Sequence, residues 1–572
     1  MLVTEPAGLC AARRRFGLAV GARNALALRP ARADNGVGEA MSVETKDAAA
    51  APIDYDDIDL LTRTGMLPAL AARRKPEATA IHSRRGDLTF GQLNRKANQL
   101  VRALRAAGLV AGDAIAVLCN NTPEFLEVFA ANLRGGFRAT PVNWHLNAGE
   151  AAYVVADCEA KALIAHVDFA EAAIASHNRG VVLALAIGGE IAGFESYETV
   201  LEGQAADDIA DPVLGIGMLY TSGTTGRPKG VFRKRAIPIP PQLAGTLANY
   251  DPDHDAHLLC GPGYHGGPMQ VDIVTPMSSG VAIVCMEKFD PQEVLRLIDK
   301  HKVTHTHMVS TMFQRLLALP QAVKDRYDIS SLKMVIHGAA PTPPQVKQAI
   351  IDWFGPIVWE YYAATEGGGN FVVGSQEWLK KPGNVGRLQP ESGCRILDDE
   401  GNDVAPGVVG TIYFQNNPDA PFEYFKDPEK TRASHVGDEH FTVGDMGYID
   451  EEGYLFLTGR TAECIISGGV NIYPQEIDNE LIRHPAVRDS CTVGVPNDEW
   501  GEEVRAVISL HPGHAPSDEL ASELMVFARR NLAGFKTPKA VDFVDEIPRS
   551  AAGKVQRKQV REPYWADRGR QI

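Results

Sequence analysis

The sequence predicts an α/β protein with a large N-terminal domain of layered sheets and a small, mobile α+β C-terminal domain. Helix-like and strand-like segments alternate from Asp56 onward, which is typical of βα units with a parallel sheet. The chain has 572 residues, more than one hydrophobic core normally covers. After about residue 458 the pattern changes to short strands and polar helices, which indicates a second domain.

The first clear unit of this alternation lies between residues 88 and 136. The stretch "LTFGQLNRKANQLVRALRAAGL" predicts a helix that ends at Gly108. Its apolar face is formed by Leu93, Ala97, Leu100, Val101 and Leu104. "DAIAVLCN" then predicts a buried strand, and "TPEFLEVFAANLRGG" predicts a helix with Thr122 as N-cap and Pro123 in the first turn.

The same order returns in the second half of the large domain. Helical "PQEVLRLIDKHK" precedes the strand "VTHTHMV", and the strand "KMVIHGAA" precedes the helix that begins in "TPPQVKQAIIDWF". Strands that alternate with helices in this way pair in parallel, so we expect these two strands in one sheet.

Composition excludes several classes of partner. The formal net charge of -15 argues against nucleic acid or an anionic membrane as the main partner. The sequence has no apolar run of the roughly 18 residues that span a bilayer, so we expect no stable membrane insertion. Eight cysteines without a C-x-x-C pair favour reduced thiols in a cytoplasmic compartment over a disulfide framework or a zinc site.

Residues 1–55 are expected to form an extension outside the fold. The Arg-rich, acid-poor stretch "CAARRRFGLAVGARNALALRPARAD" is typical of a transit peptide, which would place the protein in the mitochondrial matrix. The alternative is an upstream extension with Met41 as the working initiator and a cytoplasmic protein. Transit peptides are usually rich in serine, and none precedes Ser42, so the second interpretation is favoured.

The loop "YTSGTTGRPKG" (220–230) predicts a phosphate-binding site. It follows the apolar segment "LGIGMLY", which indicates a buried strand. Glycines let backbone N–H groups crowd around an anion, the hydroxyl groups add donors, and Lys229 adds a positive charge. The spacing differs from that of a P-loop, since Arg227 and Pro228 separate the last glycine from the lysine. The alternative is a surface loop without a ligand.

Five further motifs follow the loop in a fixed order: "HGAAP" (337–341), "YYAATE" (361–366), "VGDMGYID" (443–450), "GRTAECIISGGVNIYPQEID" (459–478) and "IPRSAAGKVQR" (547–557). Together with the loop they resemble the signatures of the adenylate-forming superfamily, in its acyl-CoA synthetase branch, from about residue 60 to 560. The resemblance implies an acyl- and ATP-binding domain over residues 56–458, a hinge over 459–464 and a mobile domain over 465–572.

The resemblance implies a two-step acid–thiol ligase that uses ATP, coenzyme A and Mg²⁺. A small-molecule carboxylic acid would attack the α-phosphate of ATP, release pyrophosphate and form an acyl adenylate, which a thiol then attacks. Repulsion between the two anions requires positive charge at the site. The residues that would contact the phosphates are Thr221, Ser222, Gly223, Thr224, Thr225, Lys229 and Thr365.

Other positions carry over from the remaining motifs. Tyr362 would stack on adenine opposite a wall formed by Gly338, Ala339 and Ala340. The other implied nucleotide and metal contacts are Glu366 for magnesium, Asp445 for the ribose hydroxyls, Arg460 from the hinge, and Lys554 between the attacking carboxylate and the α-phosphate. Taken singly, each has a plainer interpretation: a solvated carboxylate, a structural tyrosine, or a turn aspartate.

The segment "GPGYHGGPM" (261–269) resembles the family's wall between the acyl pocket and the α-phosphate, with His265 as a pocket residue. The pocket residues that we expect around it are small or apolar: Gly266, Gly267, Met269, Ala363, Ala364 and Gly367 to Gly369. Since none is charged, the pocket disfavours an amino acid and favours an apolar acid, either a medium- or long-chain fatty acid or a bulky ring-bearing acid. The alternative is that the glycines are turn residues.

The resemblance implies that Lys554 moves with the C-terminal domain and that Gly468 and Gly469 then line the tunnel for the thiol. Coenzyme A is the expected acceptor, because no carrier domain follows Lys554 in this sequence. Loading of a separate carrier protein is the alternative. A luciferase-type oxygenase and a nucleotide-binding protein without activity are weaker alternatives.

Two positions depart from the family's pattern. Ala462 stands where the family usually has Asp or Lys after the hinge arginine, so the usual hinge contacts cannot be copied to this chain. Tyr361-Tyr362-Ala363 stands where many relatives have Gly-Tyr-Gly, which weakens inferences about the substrate.

Overall fold

A computed structural model describes residues 53–221, 228–238, 248–369, 371–389, 392–437, 439–468, 470–497, 499–550 and 553–566. Five sheets lie within these ranges, and the prediction of an α/β fold is confirmed. The predicted extension over residues 1–55 is wrong at its end, because Ile53 and Tyr55 pack against Leu61 and Met66. The Tyr55 hydroxyl also donates to Asp208. Two apolar side chains thus bring residues 53–55 into the first small core.

The first large sheet has six strands, and all its neighbours are parallel. In sheet order the strands are Glu195–Ser196, Leu183–Ile187, Ala160–His166, Ala114–Leu118, Arg138–Pro141 and Ile216–Gly217. Every residue of Ala114–Leu118 is buried, as the apolar run predicted. A strand without an exposed face requires cover on both sides.

Helices supply that cover. The predicted amphipathic helix runs over Phe90–Ala106, its five predicted apolar residues are all buried, and Thr89 and Gln92 form a capping box at its start. The next helix, Pro123–Gly135, begins with the Thr122 hydroxyl accepting from the Phe125 N–H, as predicted. The other helices before residue 203 are Ile58–Thr64, Leu67–Arg74, Ala148–Asp157, Ala170–Ser176 and Tyr197–Glu202, with a 3₁₀ turn at Val167–Phe169.

The second large sheet has eight strands, with six parallel strands between two antiparallel edges. In sheet order they are Phe371–Gly374, Val358–Tyr362, Met334–His337, His305–Met308, Ala256–Leu259, Ala282–Cys285, Thr79–His82 and Leu88–Thr89. The two strands predicted from "VTHTHMV" and "KMVIHGAA" are adjacent and parallel, as expected.

The helices of this half include both predicted ones, at Pro291–His301 and Pro344–Phe354. The others are Thr275–Ser278, Ser310–Leu317, Gln321–Lys324, Ser375–Trp378 and Pro428–Ser434, with a π-helix at Pro268–Val274. No helix in the described ranges is both long and apolar enough to cross a bilayer.

Two antiparallel sheets complete the large domain. The seven-stranded sheet contains Asn384–Arg387, Tyr454–Arg460, Asp445–Ile449, Gly410–Gln415, His440–Phe441 and His435–Val436, with Arg395–Leu397 beside Gly410–Gln415. The three-stranded sheet contains Phe422–Tyr424, Lys229–Arg233 and Leu219–Thr221.

The segment "LGIGMLY" does not form the one strand that its composition predicted. Ile216–Gly217 pairs in the six-stranded sheet, whereas Leu219–Thr221 pairs in the three-stranded sheet. Met218, which is fully buried, lies at the change between them. Met218 and Leu219 are buried, whereas Ile216 is half-buried and Gly217 is exposed, so the run is not one buried strand.

The C-terminal domain has a separate sheet of five strands. They are Val470–Ile472, Ile465–Ser467, Gly501–Leu510 and Val487–Asn497, with Ala540–Phe543 beside Gly501–Leu510. Its helices are Pro474–Leu481, Asp518–Asn531 and Arg557–Trp565, with a 3₁₀ turn at Gly534–Lys536. The preceding strand of the large domain reaches Arg460 and a 3₁₀ turn follows at Thr461–Glu463, so the first residues of the predicted hinge belong to a strand.

Candidate active site

Three segments of the predicted site, together with Val309, which was not predicted, follow four neighbouring strands of the eight-stranded sheet. The strands Ala256–Leu259, His305–Met308, Met334–His337 and Val358–Tyr362 are adjacent and parallel. Their carboxyl ends therefore meet at one edge, where ligands bind in open parallel sheets. This edge collects the segment around His265, Val309, the segment Gly338 to Ala340, and the segment Ala363 to Glu366.

A pair of opposite charges marks the phosphate end of this edge. Lys229 begins the strand that pairs with Thr221, so it stands at the base of the predicted phosphate loop. Its ammonium lies 2.5 Å from an Asp427 carboxylate oxygen, and this hydrogen bond lowers the pKa of Asp427. The predicted contacts Ser222, Gly223, Thr224 and Thr225 lie outside the described residues.

Glu366 is the second charged group at this end. Its residue is 9% exposed, and one carboxylate oxygen accepts a hydrogen bond of 2.8 Å from the Tyr424 hydroxyl. Arg233 donates to the Glu366 carbonyl oxygen, which fixes the backbone. Lys430 lies 4.1 Å from the centre of the Tyr424 ring. Burial, and then the neighbouring charge of Lys229, lower the pKa of Lys430.

The carboxylate of Glu366 fits a magnesium ion that is shared with a substrate. Among the described residues no group of three or more His, Cys, Asp or Glu side chains is arranged to hold a metal ion. Mg²⁺, however, is commonly bound by one or two carboxylates together with the phosphates of a nucleotide. A single buried carboxylate beside the base of a phosphate loop meets that requirement.

Three of the side chains predicted to contact the nucleotide are joined by hydrogen bonds. The Tyr362 hydroxyl donates to one oxygen of Asp445 at 2.8 Å, and Arg460 Nε donates to the other at 3.0 Å. Asp445 and Arg460 face each other on neighbouring strands. Burial opposes protonation of Arg460, but the neighbouring charges of Asp445, Glu463 and Glu366 together outweigh it and raise the pKa of the arginine. Carboxylate oxygens have further lone pairs, so Asp445 keeps acceptor capacity.

The wall predicted opposite adenine adopts an unusual backbone conformation. Ala339 has φ 65°, a left-handed conformation that is uncommon for a residue other than glycine. Gly338 has no room for a side chain, since a Cβ there would lie 2.5 Å from the Tyr361 ring. Ala340 is half-buried and follows in the same bend. Strained backbone of this kind is frequent at ligand sites.

Lys554 reaches the site from the C-terminal domain. The preceding Gly553 lies against the large domain, because a Cβ there would overlap Thr311 and come within 3.3 Å of Val309. Arg549 donates to the Gly553 carbonyl oxygen at 2.7 Å. Solvent reaches the Lys554 side chain, yet protein atoms crowd its cleft. Burial in the cleft, and then the charge of Arg460, lower the pKa of Lys554.

His265 lies within the electrostatic reach of this lysine. Burial, and then the charges of Lys554 and His145, lower the pKa of His265 to about 3, so the imidazole is neutral at physiological pH. Its Nε2 is buried without a hydrogen-bond partner. The imidazole lines a cavity of about 20 Å³ with Gly261, Pro262, Pro268, His307, Val309, Met312 and Ala339.

The predicted small pocket residues divide into two groups. Gly266 and Gly267 are tightly packed, near Leu219 and Tyr361 respectively. In contrast, Gly367, Gly368 and Gly369 all have positive φ, which supports the alternative that these glycines are turn residues. Gly367 contacts Arg233, Gly368 contacts Phe414, Ala364 packs with the core of the seven-stranded sheet, and Ala363 is exposed.

The predicted thiol tunnel lies in a hairpin of the C-terminal sheet. Gly468 has φ 58° and its N–H donates to the Trp500 carbonyl oxygen at 2.8 Å. A Cβ on Gly468 would lie 2.5 Å from the Trp500 ring. Gly469 is outside the described residues.

Sequence reasoning missed the partners of the predicted groups. Asp427, Tyr424 and Lys430 were not predicted, although Asp427 precedes Pro428 as a helix N-cap would, and its other oxygen accepts from the Lys430 N–H. The buried residues behind the pocket, His307 and Asp272, were also missed. The alternation of histidine in "VTHTHMV" places His307 on one face of a strand, but nothing local shows that this face meets the pocket.

Comparisons with known proteins agree with this geometry. The AMP-binding enzyme family matches residues 69–418, and the AMP-binding enzyme C-terminal domain matches residues 476–554. The indoleacetate–CoA ligase of Aromatoleum aromaticum is 32% identical, over 85% of this chain and 95% of that protein. The fatty acid–[acyl-carrier-protein] ligase ScoC of Streptomyces coeruleorubidus is 29% identical, over 88% of this chain and 96% of that protein.

A solved structure gives the same result for the fold. The crystal structure of ATP-bound MatB from Rhodopseudomonas palustris superposes with a TM-score of 0.75 and 28% identity, over 88% of this chain and 99% of that one. The family match covers more than half of this chain. The chain therefore belongs to the AMP-binding enzyme family, in the acyl-CoA synthetase branch of the adenylate-forming enzymes, and is an acid–thiol ligase.

Proposed function

We propose that the protein uses ATP to convert an apolar carboxylic acid into an acyl adenylate and then transfers the acyl group to coenzyme A. The products are acyl-CoA, AMP and pyrophosphate. The observation that carries this proposal is the position of the Lys554 loop, which is docked on the large domain through Gly553. There the ammonium acts on the pKa of His265 and lies within the electrostatic reach of Arg460, Asp445 and Glu366.

In the first step the carboxylate oxygen of the acid bonds to the α-phosphorus, and the bond from that phosphorus to pyrophosphate breaks. Lys554 would neutralise the approaching carboxylate and the α-phosphate, and Lys229 would neutralise the departing pyrophosphate. Fixed charges of this kind stabilise the transition state without reorganising at the moment of reaction. His265 is neutral and so adds no charge to the pocket wall.

Asp445 and Tyr362 would orient the nucleoside, with the carboxylate accepting from the ribose hydroxyls and the ring packing against the base. Their mutual hydrogen bond holds both side chains in place before the ligand arrives. Glu366 would hold Mg²⁺, which supplies positive charge to the phosphates when bound. The Tyr424 hydroxyl donates to this carboxylate and fixes its orientation.

In the second step the thiolate of coenzyme A attacks the acyl carbonyl and AMP leaves. We propose that the C-terminal domain turns about residues 459–464, withdraws Lys554 and brings the hairpin with Gly468 and Gly469 to the site. The turn at Thr461–Glu463, between the strand of the large domain and the C-terminal sheet, is a short element that can absorb such a change. Ala462 in this turn is compatible with backbone rotation.

The apolar lining of the cavity beside His265 supports an apolar acid, either a fatty acid or a ring-bearing one. Relatives support both classes, since one is named for indoleacetate and another for fatty acids. The similarity to an acyl-carrier-protein ligase also favours a second candidate function, in which the adenylate is passed to a carrier protein.

The experiment combines a pyrophosphate-release screen with product analysis. Purified protein is incubated with ATP, Mg²⁺, coenzyme A and a panel of fatty, aryl and arylalkanoic acids. Acyl-CoA and AMP support the ligase. An acyl adenylate that persists with coenzyme A but reacts with a carrier protein supports the second candidate. ATP cleaved only to ADP, or no cleavage with any acid, contradicts both.

A further inference from the structure

A chain of five polar side chains lies behind the apolar cavity. The Tyr250 hydroxyl is 2.6 Å from His257 Nδ1, and His257 Nε2 is 2.7 Å from Asp272 Oδ1. Asp272 Oδ2 is 3.6 Å from His307 Nδ1, and His307 Nε2 is 3.1 Å from the Tyr361 hydroxyl. The chain therefore runs from the strand Ala256–Leu259 to the end of the strand Val358–Tyr362.

The middle of this chain is buried and incompletely satisfied. Asp272 and His307 have no exposed surface. Asp272 Oδ2 and His307 Nδ1 are buried without a hydrogen-bond partner, because 3.6 Å is too long for one. A buried carboxylate is costly unless it is paired and bonded, so an apolar side chain would serve the core better. A functional role at the end of the chain would account for this cost.

The chain ends at the pocket. His307 lines the cavity together with His265. Tyr361 is half-buried, and two glycines clamp it: a Cβ on Gly267 would lie 2.5 Å from its oxygen, and a Cβ on Gly338 would lie 2.5 Å from its ring. The hydroxyl is thus fixed beside the segment that carries His265.

The Asp272 carboxylate determines which atom donates in the hydrogen bond between His307 and Tyr361. Asp272 faces Nδ1 of His307 and favours the tautomer with the proton on that nitrogen. His307 Nε2 is then an acceptor and takes the hydrogen of the Tyr361 hydroxyl. The lone pairs of the Tyr361 oxygen remain available as acceptors. Burial, and then the charge of Asp272, raise the pKa of Tyr361, which keeps this hydroxyl protonated.

We propose that Tyr361 and His307, oriented by Asp272, recognise a hydrogen-bond donor on the acid, so that the substrate is an apolar acid with a hydroxyl group away from its carboxylate. This inference rests on the proposed function and narrows its substrate class. An acid without the hydroxyl would bury the Tyr361 oxygen with no donor, which we expect to lower the rate by about tenfold or more.

The test compares acids that differ only in one hydroxyl. Adenylation of 4-hydroxycinnamate and cinnamate, and of 8-hydroxyoctanoate and octanoate, is measured by ATP–pyrophosphate exchange. The two pairs distinguish a ring-bearing acid from an aliphatic one. We expect kcat/KM to be about tenfold or more higher for the hydroxylated member of one pair.

Two variants ask whether the chain causes the preference. Tyr361→Phe removes the acceptor, and Asp272→Asn removes the charge that orients His307. Both should bring the ratio of kcat/KM within a pair toward one. Tyr454→Phe is the matched control, since it removes a hydroxyl that bonds Glu377 elsewhere in the large domain.

Each result has a definite meaning. A hydroxyl preference that disappears in Tyr361→Phe supports the inference. Equal rates within both pairs, or a preference that survives both variants, overturn it and leave the proposed function standing. Absence of exchange with every acid of the wider panel overturns the proposed function as well.

Discussion

Two regions supply the charges of this site, and they are built differently. At the carboxyl edge of the eight-stranded sheet, Tyr361 and Tyr362 end a strand that pairs in parallel with Met334–His337 and antiparallel with Phe371–Gly374, and Glu366 follows four residues later. The Lys554 loop has no such frame. Hydrogen bonds within the C-terminal domain shape it, among them those from Arg549 to the Gly553 carbonyl oxygen and from the Ser550 N–H to the Lys554 carbonyl oxygen, and it meets the large domain where Gly553 contacts Thr311.

The difference separates the side chains of the sheet edge, which are always in place, from Lys554, which the C-terminal domain carries to the site. A sheet edge fixes its side chains as long as the domain is folded, whereas a loop held by few contacts can be released without unfolding. In the proposed function the nucleotide site is therefore permanent, and the charge of Lys554 is conditional.

The largest effect is expected for Lys554→Ala. Loss of the conditional charge should lower the rate of adenylation by about 10³-fold or more, as loss of a transition-state contact does. Formation of the thioester from supplied acyl adenylate should remain within a few-fold of wild type. Both rates are measured in single-turnover assays.

Lys558→Ala is the control for this prediction, since Lys558 is an exposed lysine on the following helix, paired with Glu562. If Lys554→Ala lowered the rates of adenylation and of thioester formation equally, the proposal that Lys554 acts only in the first step would be wrong.

A smaller effect is expected at the permanent edge. Glu366→Gln keeps the shape of the side chain and removes its charge, so adenylation should fall by about 10²-fold because magnesium and phosphate lose a ligand. Tyr424→Phe removes only the hydrogen bond to this carboxylate and should cost a few-fold. Titration of the rate with Mg²⁺ checks both; a wild-type Mg²⁺ dependence in Glu366→Gln would contradict the assignment.

A substitution of Arg549 tests whether its hydrogen bond to the Gly553 carbonyl oxygen positions the Lys554 loop. Arg549→Lys retains the charge beside Asp489 but loses the geometry that reaches the Gly553 carbonyl oxygen. We expect adenylation to fall by about tenfold, with the thioester step unchanged. Arg488→Lys, which affects a bond to the Asp545 carbonyl oxygen in the same domain, is the control. A parallel loss of both steps would indicate a damaged domain.

The smallest effect is a shift in pH dependence. Burial and Arg460 lower the pKa of Lys554, so the protonated form is lost as pH rises, at a lower pH than for an ordinary lysine. kcat/KM for ATP, which reports the free enzyme, should decline on the alkaline side with a midpoint below the ordinary value of 10.5. Lys554→Arg should move the decline to higher pH, because guanidinium remains protonated. An unmoved profile would assign the decline to another group.

Much of the permanent edge is predictable from sequence. Alternating helices and strands indicate the parallel sheet, and loops that follow such strands lie at one edge. The capped helix at Pro123 and the buried strand Ala114–Leu118 follow from local chemistry. The domain division, the hinge and the individual site roles remain predictions.

What the sequence does not reveal is contact across long separations. Lys229 and Asp427 are 198 positions apart, and no local sequence pattern near either residue predicts their contact. The same holds for Asp272 behind His307, where only the fold brings a π-helix against a strand. The apolar segment 214–220 was misread because its residues pair in two different sheets.

The pair of Lys229 and Asp427 has a consequence for anion binding. The lysine has a counter-ion 2.5 Å away, so a small anion meets little unmatched positive charge at Lys229. An arriving triphosphate must compete with a resident carboxylate for that lysine. Binding of a phosphate to Lys229 thus replaces one anion with another. This exchange favours ligands with several negative charges over ligands with one.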